Sequence, residues 1–358
     1  MAKYKFAIIG SGWRADFFAR AAQELPELLK ITSVMGRNLD KLREFKGKWN
    51  VPTCTDINVL LESNPDFVVL SIPRDVMPEV ILQMVSLGMP VLAETPPGKD
   101  IDALNDLFTK LPKDAKVQVA EQYHLHPMHA ARLNVINSKE LGNVSHVQVS
   151  CAHGYHGISM IRKMLGVTYE DATITALSCK SPIIQGPGRD GQAKNEIIEE
   201  EEQIIALLDF GNKHGIYDFT GSQYFHYIRE NRMLARGERG ELNGNRVSVM
   251  KSYDDPVFYT LDRKDMGQDG NLEGLFLKGI TGGGVWRYKN PFPMARLFDD
   301  EIAVADCLVK MGEYAKGGNS FYSVNEAAQD LYLDLLIQES VEKGSVKIQS
   351  TRQIWANN

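Results

Sequence analysis

The sequence predicts an α/β protein: an N-terminal Rossmann domain with a doubly wound parallel sheet, followed by an α+β domain with a large, mostly antiparallel open sheet. Three observations carry that prediction. The chain begins with a short apolar run at residues 6–9 that leads into Gly10-Ser11-Gly12-Trp13-Arg14-Ala15 and then into helical periodicity over residues 16–25. Up to Glu121, short β-branched runs alternate with helical patterns, which is the rhythm of βαβ units. Beyond Glu121 the runs lengthen and alternate in polarity, as antiparallel strands with one covered face do.

Taken in order, the first half offers strands at residues 6–9, 31–35, 67–72, 91–93 and 117–120. The G-x-G-x-x-A pattern between the first strand and first helix is a dinucleotide fingerprint: Gly10 permits the tight turn, Gly12 lets the backbone approach a pyrophosphate, and Ala15 allows close helix–strand packing. A pyrophosphate there meets the unpaired N–H groups and positive dipole end of the helix. Asn38 is placed to cap a helix carrying Leu39, Leu42 and Phe45, and Gly88 follows a helix over residues 76–87. In the second half, strands are expected at residues 144–149, 173–178, 203–210 and 215–221, and helices at 300–314 and 324–343. The boundary is set at residue 121, giving a dinucleotide-binding domain over 1–121 and a substrate-binding and oligomerisation domain over 122–358.

Composition narrows the function. The 358 residues are 43% hydrophobic and carry a formal charge of −6, from 40 basic and 46 acidic side chains. That balance offers no attraction for nucleic acid or anionic lipid, so the expected partners are small molecules and copies of the chain itself. The N-terminus has no basic segment followed by an apolar run, and no stretch is long enough to span a bilayer, so a cytoplasmic protein is expected. Cys54, Cys151, Cys179 and Cys307 form no C-x-x-C pair and are expected to be buried free thiols. The acidic run 199–202, with Glu196, is expected to be solvated loop or strand-edge charge.

Nucleotide choice is read from the end of the second strand, where Val34-Met35-Gly36-Arg37-Asn38 lacks the acid that binds a ribose 2′-hydroxyl. Arg37 is instead suited to a 2′-phosphate, so NADP is favoured over NAD. The segment Glu121-Gln122-Tyr123-His124-Leu125-His126-Pro127-Met128-His129 lies just past a strand end, where open α/β sheets bind ligands.

The order of segments resembles the glucose-fructose oxidoreductase, inositol dehydrogenase and rhizopine-catabolism (Gfo/Idh/MocA) family over nearly the whole chain. The resemblance is carried by Gly10-Ser11-Gly12-Trp13, Ser71-Ile72-Pro73, Gly88-Met89-Pro90-Val91-Leu92-Ala93-Glu94-Thr95-Pro96, Gly154-Tyr155-His156 ahead of Met164-Leu165-Gly166, and Arg236-Gly237-Glu238-Arg239-Gly240-Glu241. It implies an NAD(P)-dependent dehydrogenase or reductase of sugars, polyols or cyclitols, a homodimer or homotetramer through the open sheet, and a catalytic Lys/Asp/His set. Here the family's Glu-Lys-Pro reads Glu94-Thr95-Pro96, and the aspartate four residues before His156 is replaced by Ala152. Only the histidine survives, and a positioned acid or base is worth roughly 10²–10⁴ in rate.

His156 is therefore the first candidate for the proton, with His126, His153 and Tyr123 behind it, since imidazole exchanges protons near neutral pH. The nucleotide is expected on Gly10, Ser11, Gly12, Trp13 and Arg14, on Arg37 and Asn38, on Ser71, Ile72 and Pro73, and on Glu94, Thr95 and Gln122. His124 and His129 are read as packed side chains. The histidines with Glu121 match no standard metal spacing, and hydride transfer needs no metal, so none is expected. Tyr224, Arg229 and Arg232 are read as surface or interface packing rather than ligand contacts. Two other functions stay open: redox-neutral glycoside cleavage or epimerisation through a keto intermediate, and a non-catalytic dinucleotide or sugar sensor.

Overall fold

The computed structural model describes residues 3–189, 191–268 and 270–357. Its first half alternates β1 (Tyr4–Ile9), α1 (Ala15–Glu24), β2 (Leu29–Met35), α2 (Leu39–Trp49), β3 (Thr53–Cys54), α3 (Ile57–Glu62), β4 (Phe67–Leu70), α4 (Met77–Ser86), β5 (Val91–Ala93), α5 (Ile101–Lys110) and β6 (Val117–Val119). These strands form one parallel sheet in the order β3-β2-β1-β4-β5-β6. The order reverses between β1 and β4, and a crevice opens outside their carboxyl ends, which is where such sheets bind ligands. Phe67–Leu70 is fully buried, as expected for a parallel strand covered on both faces. The strand expected over 67–72 stops at Leu70; the Ser71 N–H still donates to Ile9 O, the last ladder bond between β4 and β1.

The second half continues with α6 (Pro127–Asn137), β7 (Val144–Ser150), α7 (Gly154–Leu165), β8 (Thr173–Ile184), β9 (Ile198–Asp209), β10 (His214–Thr220), β11 (Arg232–Gly237), β12 (Gly240–Asn243), β13 (Arg246–Ser252) and β14 (Asp255–Thr260). It ends with β15 (Asp262–Gln268), β16 (Asn271–Gly282), β17 (Val285–Lys289), α8 (Asp299–Ala315), α9 (Val324–Glu342) and β18 (Ile348–Gln349). A nine-stranded sheet runs β14-β13-β12-β11-β7-β10-β9-β8-β18, antiparallel at every pair except the parallel β7–β10, and β15-β16-β17 form a separate small sheet. Helices α7 and α9 cover one face of the large sheet, while Leu177, Leu207 and Phe258 are exposed.

The chain returns to its first half before it ends. α8 packs on α1, β1 and β4, and Gln118 of β6 accepts hydrogen bonds from the Phe321 and Tyr322 N–H groups with its side-chain oxygen. Val119 also donates to Tyr322 O, so the β6 edge is covered rather than left as an open template. This return brings Asp300 beside Arg14 and Asp334 against Gly154.

Two expectations change. The acidic run lies inside β9 rather than before it: Glu200 pairs with Lys180 across the ladder, and Glu201 is buried against Arg229 and Thr220. A buried carboxylate needs such partners, and Arg229 lies far away in sequence. Of the cysteines, Cys151 and Cys307 are buried, Cys54 is half-buried, and Cys179 is exposed on β8.

Candidate active site

The nucleotide turn has the shape its glycines suggested. Gly10 sits at φ +112°, and a Cβ there would stand 2.0 Å from Ser71 O, so only glycine fits between β1 and the end of β4. Above Gly12 a Cβ would meet nothing within 4 Å, leaving backbone open beside the start of α1. Ser11 flanks this opening, with its hydroxyl next to Gly36, and Trp13 is exposed on the same turn. Ser71 and Ile72 line the far wall of the turn at Gly10, and Pro73 follows them, exposed. Arg37 is exposed at the end of β2. The Asn38 side chain is occupied in capping α2, where it accepts from the N–H groups of Asp40 and Lys41.

Arg14 does not reach into the opening with its side chain. Its Nε donates to Glu94 Oε1 at 2.7 Å, and its Nη1 lies 4.0 Å from Asp300 Oδ2. Burial opposes the guanidinium charge, but the two carboxylates hold its pKa above the ordinary value. Glu94 Oε2 also accepts from Thr95 N–H, and the Thr95 hydroxyl meets Tyr155. Asp300 continues the chain of contacts: its Oδ1 lies 3.1 Å from His126 Nε2 and 3.5 Å from Gln122 Nε2. Gln122 Oε1 is buried with no hydrogen-bond partner among the described residues, an acceptor turned toward this region without a donor.

The substrate side is built on the end of β6 and the first turn of α7. Gly154 opens that turn at φ +45°, and a Cβ would stand 2.5 Å from Asp334 Oδ2, so glycine lets α9 press against the helix start. His156 follows one step into the turn. Its Nδ1 donates to Glu121 Oε2 at 2.5 Å, and Glu121 Oε1 accepts the Tyr123 N–H at 3.1 Å. Both partners are buried, His156 at 6% exposure and Glu121 at 1%. Burial alone would raise the Glu121 carboxyl, but the facing His156 and the Tyr123 N–H hold it below the usual carboxylate range.

An aromatic belt joins the candidates. The Tyr123 ring stacks on His126 at 5.1 Å and lies 4.6 Å from the His156 ring. Its hydroxyl donates to Tyr224 OH, and Tyr224 OH in turn meets His153 Nδ1 at 2.6 Å. Burial raises the Tyr123 and Tyr224 hydroxyls, so both stay protonated donors. Partial burial and the neighbouring His156 push His153 down to about 4, so its imidazole is neutral at pH 7. A cavity of about 290 Å³ opens beside His153 and Tyr224, walled by Tyr217, Phe219, Glu202 and Asp334. Burial raises the Asp334 carboxyl to about 6.

The structure thus brings His156, His126, His153 and Tyr123 into one cluster. His124 lies behind it against Tyr322, and burial pushes it down to about 4. His129 is half-buried, with its Nδ1 atom enclosed and without a hydrogen-bond partner among the described residues. Tyr224 corrects the sequence reading, since it belongs to the cluster rather than to a surface, whereas Arg229 and Arg232 are paired with Glu201 and Asp218. Sequence reasoning missed Glu121 as the partner of His156 and missed Asp300 and Asp334 altogether. Glu121 had one usable signal, its place directly after a strand end. The two aspartates reach the site from helices near the end of the chain and had none. Among the described residues, no group of three or more His, Cys, Asp or Glu is arranged to hold a metal ion.

Residues 4–150 match the family model described as "Oxidoreductase family, NAD-binding Rossmann fold", GFO_IDH_MocA. That match covers the first half of the chain and shows an N-terminal domain similar to the NAD-binding Rossmann domain of Gfo/Idh/MocA oxidoreductases. Solved structures share its fold over nearly all of both chains. An oxidoreductase from Agrobacterium radiobacter in complex with NAD+, L-tartaric acid and magnesium is 16% identical, with a TM-score of 0.67 and 100% of each chain covered. Levoglucosan dehydrogenase, in complex with NADH and levoglucosan, is 14% identical at a TM-score of 0.69, covering 98% of this chain and 100% of its own. A putative myo-inositol dehydrogenase from Sinorhizobium meliloti 1021 is 16% identical at a TM-score of 0.65, again covering 98% and 100%. No curated protein matches the chain in sequence. Among the described residues, no helix is long and apolar enough to cross a membrane.

Proposed function

We propose that this protein is a Gfo/Idh/MocA NAD(P)-dependent oxidoreductase acting on a hydroxyl or keto carbon of a sugar, polyol or cyclitol, with His156 as the group that exchanges the substrate proton. The observation that carries the reading is the buried His156–Glu121 pair beside the crevice of the nucleotide turn. The open backbone above Gly12, the glycine-only geometry at Gly10 and the unpartnered Gln122 Oε1 suit a bound dinucleotide. When bound, the nicotinamide accepts or supplies the hydride.

The protein's own part follows from the hydrogen bonds. Glu121 accepts a hydrogen bond from the Nδ1–H of His156, which fixes the tautomer and leaves Nε2 to receive the substrate hydroxyl proton. As His156 becomes positive, the carboxylate beside it stabilises the charge in a site where water does not compete. In this reading Glu121 supplies, from another strand end, the carboxylate that Ala152 lacks. Tyr123, held protonated by burial, would turn its one O–H from Tyr224 to a substrate oxygen, and His153 and Tyr224 frame the cavity that would receive the ring. His126 is tied to Asp300 and serves to hold Tyr123 by stacking. The Arg14–Glu94–Asp300 ties leave the Arg14 backbone, rather than its guanidinium, to meet the nucleotide. Arg37, exposed where no acid stands, supports acceptance of NADP. A homodimer or homotetramer through the exposed sheet face remains part of the proposal.

Purified protein incubated with NAD or NADP and a panel of polyols, cyclitols and their keto forms is expected to change nicotinamide absorbance. Absence of any change, with nucleotide shown to bind, would remove the net-redox reading. One observation favours a second reading: Asp334 presents a carboxyl raised to about 6 on the same cavity, a second acid or base beside the histidine. Such a pair suits redox-neutral cleavage or epimerisation, in which product appears without net reduced nucleotide.

A further inference from the structure

The long loop between β8 and β9 makes a contact that the sequence did not suggest. Residues 185–189 leave the nine-stranded sheet and bring Arg189 over the indole of Trp13, with the guanidinium carbon 4.5 Å from the ring centroid. Trp13 directly follows Gly12 in the nucleotide turn and is 59% exposed, an unusual position for a large apolar ring. The loop is fixed from the side of the substrate cluster. His226 Nε2 donates to Ile184 O at 2.7 Å, a Cβ on Gly186 would stand 2.1 Å from the His226 ring, and the Gln192 amide donates to Tyr227 OH at 2.6 Å. His226 and Tyr227 lie just beyond Tyr224, so one short segment holds both the loop and a wall of the cavity. Among the described residues, no carboxylate forms an ion pair with Arg189.

We propose that Arg189 closes over the pyrophosphate of the dinucleotide, with Trp13 as the platform that aims it. A guanidinium held over an indole through its face can keep its N–H edge free, and that planar edge matches two phosphate oxygens. The turn beneath offers backbone N–H groups from below, and Arg189 would add the charge from above. The cation comes from the second half of the chain, so a bound nucleotide would help hold the β8–β9 loop, and with it the Tyr224 segment, on the first half. Arg189 is a cofactor-binding residue in this scheme and Trp13 its positioning residue, and the scheme rests on the nicotinamide reading above.

The test is calorimetric titration of NADH and of ADP-ribose, which carries the pyrophosphate without nicotinamide, into the full chain and its Arg189→Ala, Arg189→Lys, Trp13→Ala and double Trp13→Ala/Arg189→Ala variants. Arg189→Ala is expected to weaken both ligands about tenfold at low salt, with Arg189→Lys between the two. The difference should shrink as NaCl rises, because a charge contact is screened and a packing defect is not. The double variant should lose less than the sum of the single losses, since platform and cation act as one unit. Wild-type affinity in Arg189→Ala, or a loss of the same size at every salt concentration, would overturn the inference. If the wild-type chain binds neither ligand, the nicotinamide reading itself falls first and takes the inference with it.

Discussion

Two histidine–carboxylate pairs stand on either side of Tyr123, and they differ in what surrounds them. His156 and Glu121 have side chains only 8% and 2% exposed, whereas His126 and Asp300 are 21% and 37% exposed. Glu121 serves His156 and a backbone N–H, so its charge is spent on orienting one imidazole. Asp300 is shared among His126, Gln122 and Arg14, and Arg14 is shared again with Glu94. The first arrangement concentrates a carboxylate on one ring in a low-dielectric site; the second spreads charge through a tie between α1, α8 and the end of β5. On the proposed reading, two histidine–carboxylate pairs act as acid–base apparatus in one place and as a structural strut in the other, and burial with exclusivity of partner separates them.

That contrast makes the largest prediction. His156→Asn should lower turnover by about 10²–10⁴, whereas His126→Asn should cost no more than about tenfold and act mainly through the placement of Tyr123. Equal losses would erase the distinction. Because removing one partner strands a buried charge, His156→Asn should also destabilise, by about 3–5 kcal/mol. The neutral double variant His156→Asn/Glu121→Gln should recover most of that stability in thermal melts while staying inactive. Next in size is Glu121→Gln, expected to lower kcat by about a hundredfold or more with little change in KM, since the tautomer and the stabilising charge are lost but the ring stays. On the strut side, Glu94→Gln should raise the KM for nucleotide less than about tenfold and leave kcat close to wild type, because it loosens the seat of Arg14 rather than the proton path.

Much of this molecule was legible in its residues. The Rossmann half follows from short buried runs and from glycines whose roles are steric, which local sequence records: Gly10 cannot be anything else against Ser71 O. The second half was harder. Strands β8 and β9 extend well past residues 178 and 203 because their outer parts are polar ladders, with Glu200 against Lys180 and Glu202 against Ser178, and such pairs have no hydrophobic alternation to betray them. His156 was found through the family resemblance. Its partner was hidden because the carboxylate expected four residues earlier on the same turn stands instead at the end of β6. Asp300 and Asp334 come from helices that sequence places at the end of the chain, and only the return of α8 to Arg14 and of α9 to Gly154 gives them meaning.

The smallest effect separates two carboxyls by sign. Glu121 is held below its ordinary pKa, so its contribution to stability is present above the unfolded value and is lost as pH falls through the folded one. Asp334 is raised to about 6 from 3.8, so the folded chain binds the extra proton and stability falls as pH rises across that window. Asp334→Asn should therefore flatten the stability profile between about pH 4 and 6, by about 2 kcal/mol or less, and Glu121→Gln should flatten it below that range. Chemical denaturation at a series of pH values reads both signs.

The most direct test is a crystal structure of the chain with NADH and a candidate polyol bound. The account predicts His156 Nε2 within hydrogen-bond reach, about 2.6–3.2 Å, of the oxygen on the carbon that faces the nicotinamide, with Nδ1 still on Glu121. A substrate oxygen held instead by His126 or by a tyrosine alone, with the His156 edge turned away from the ligand, would contradict it.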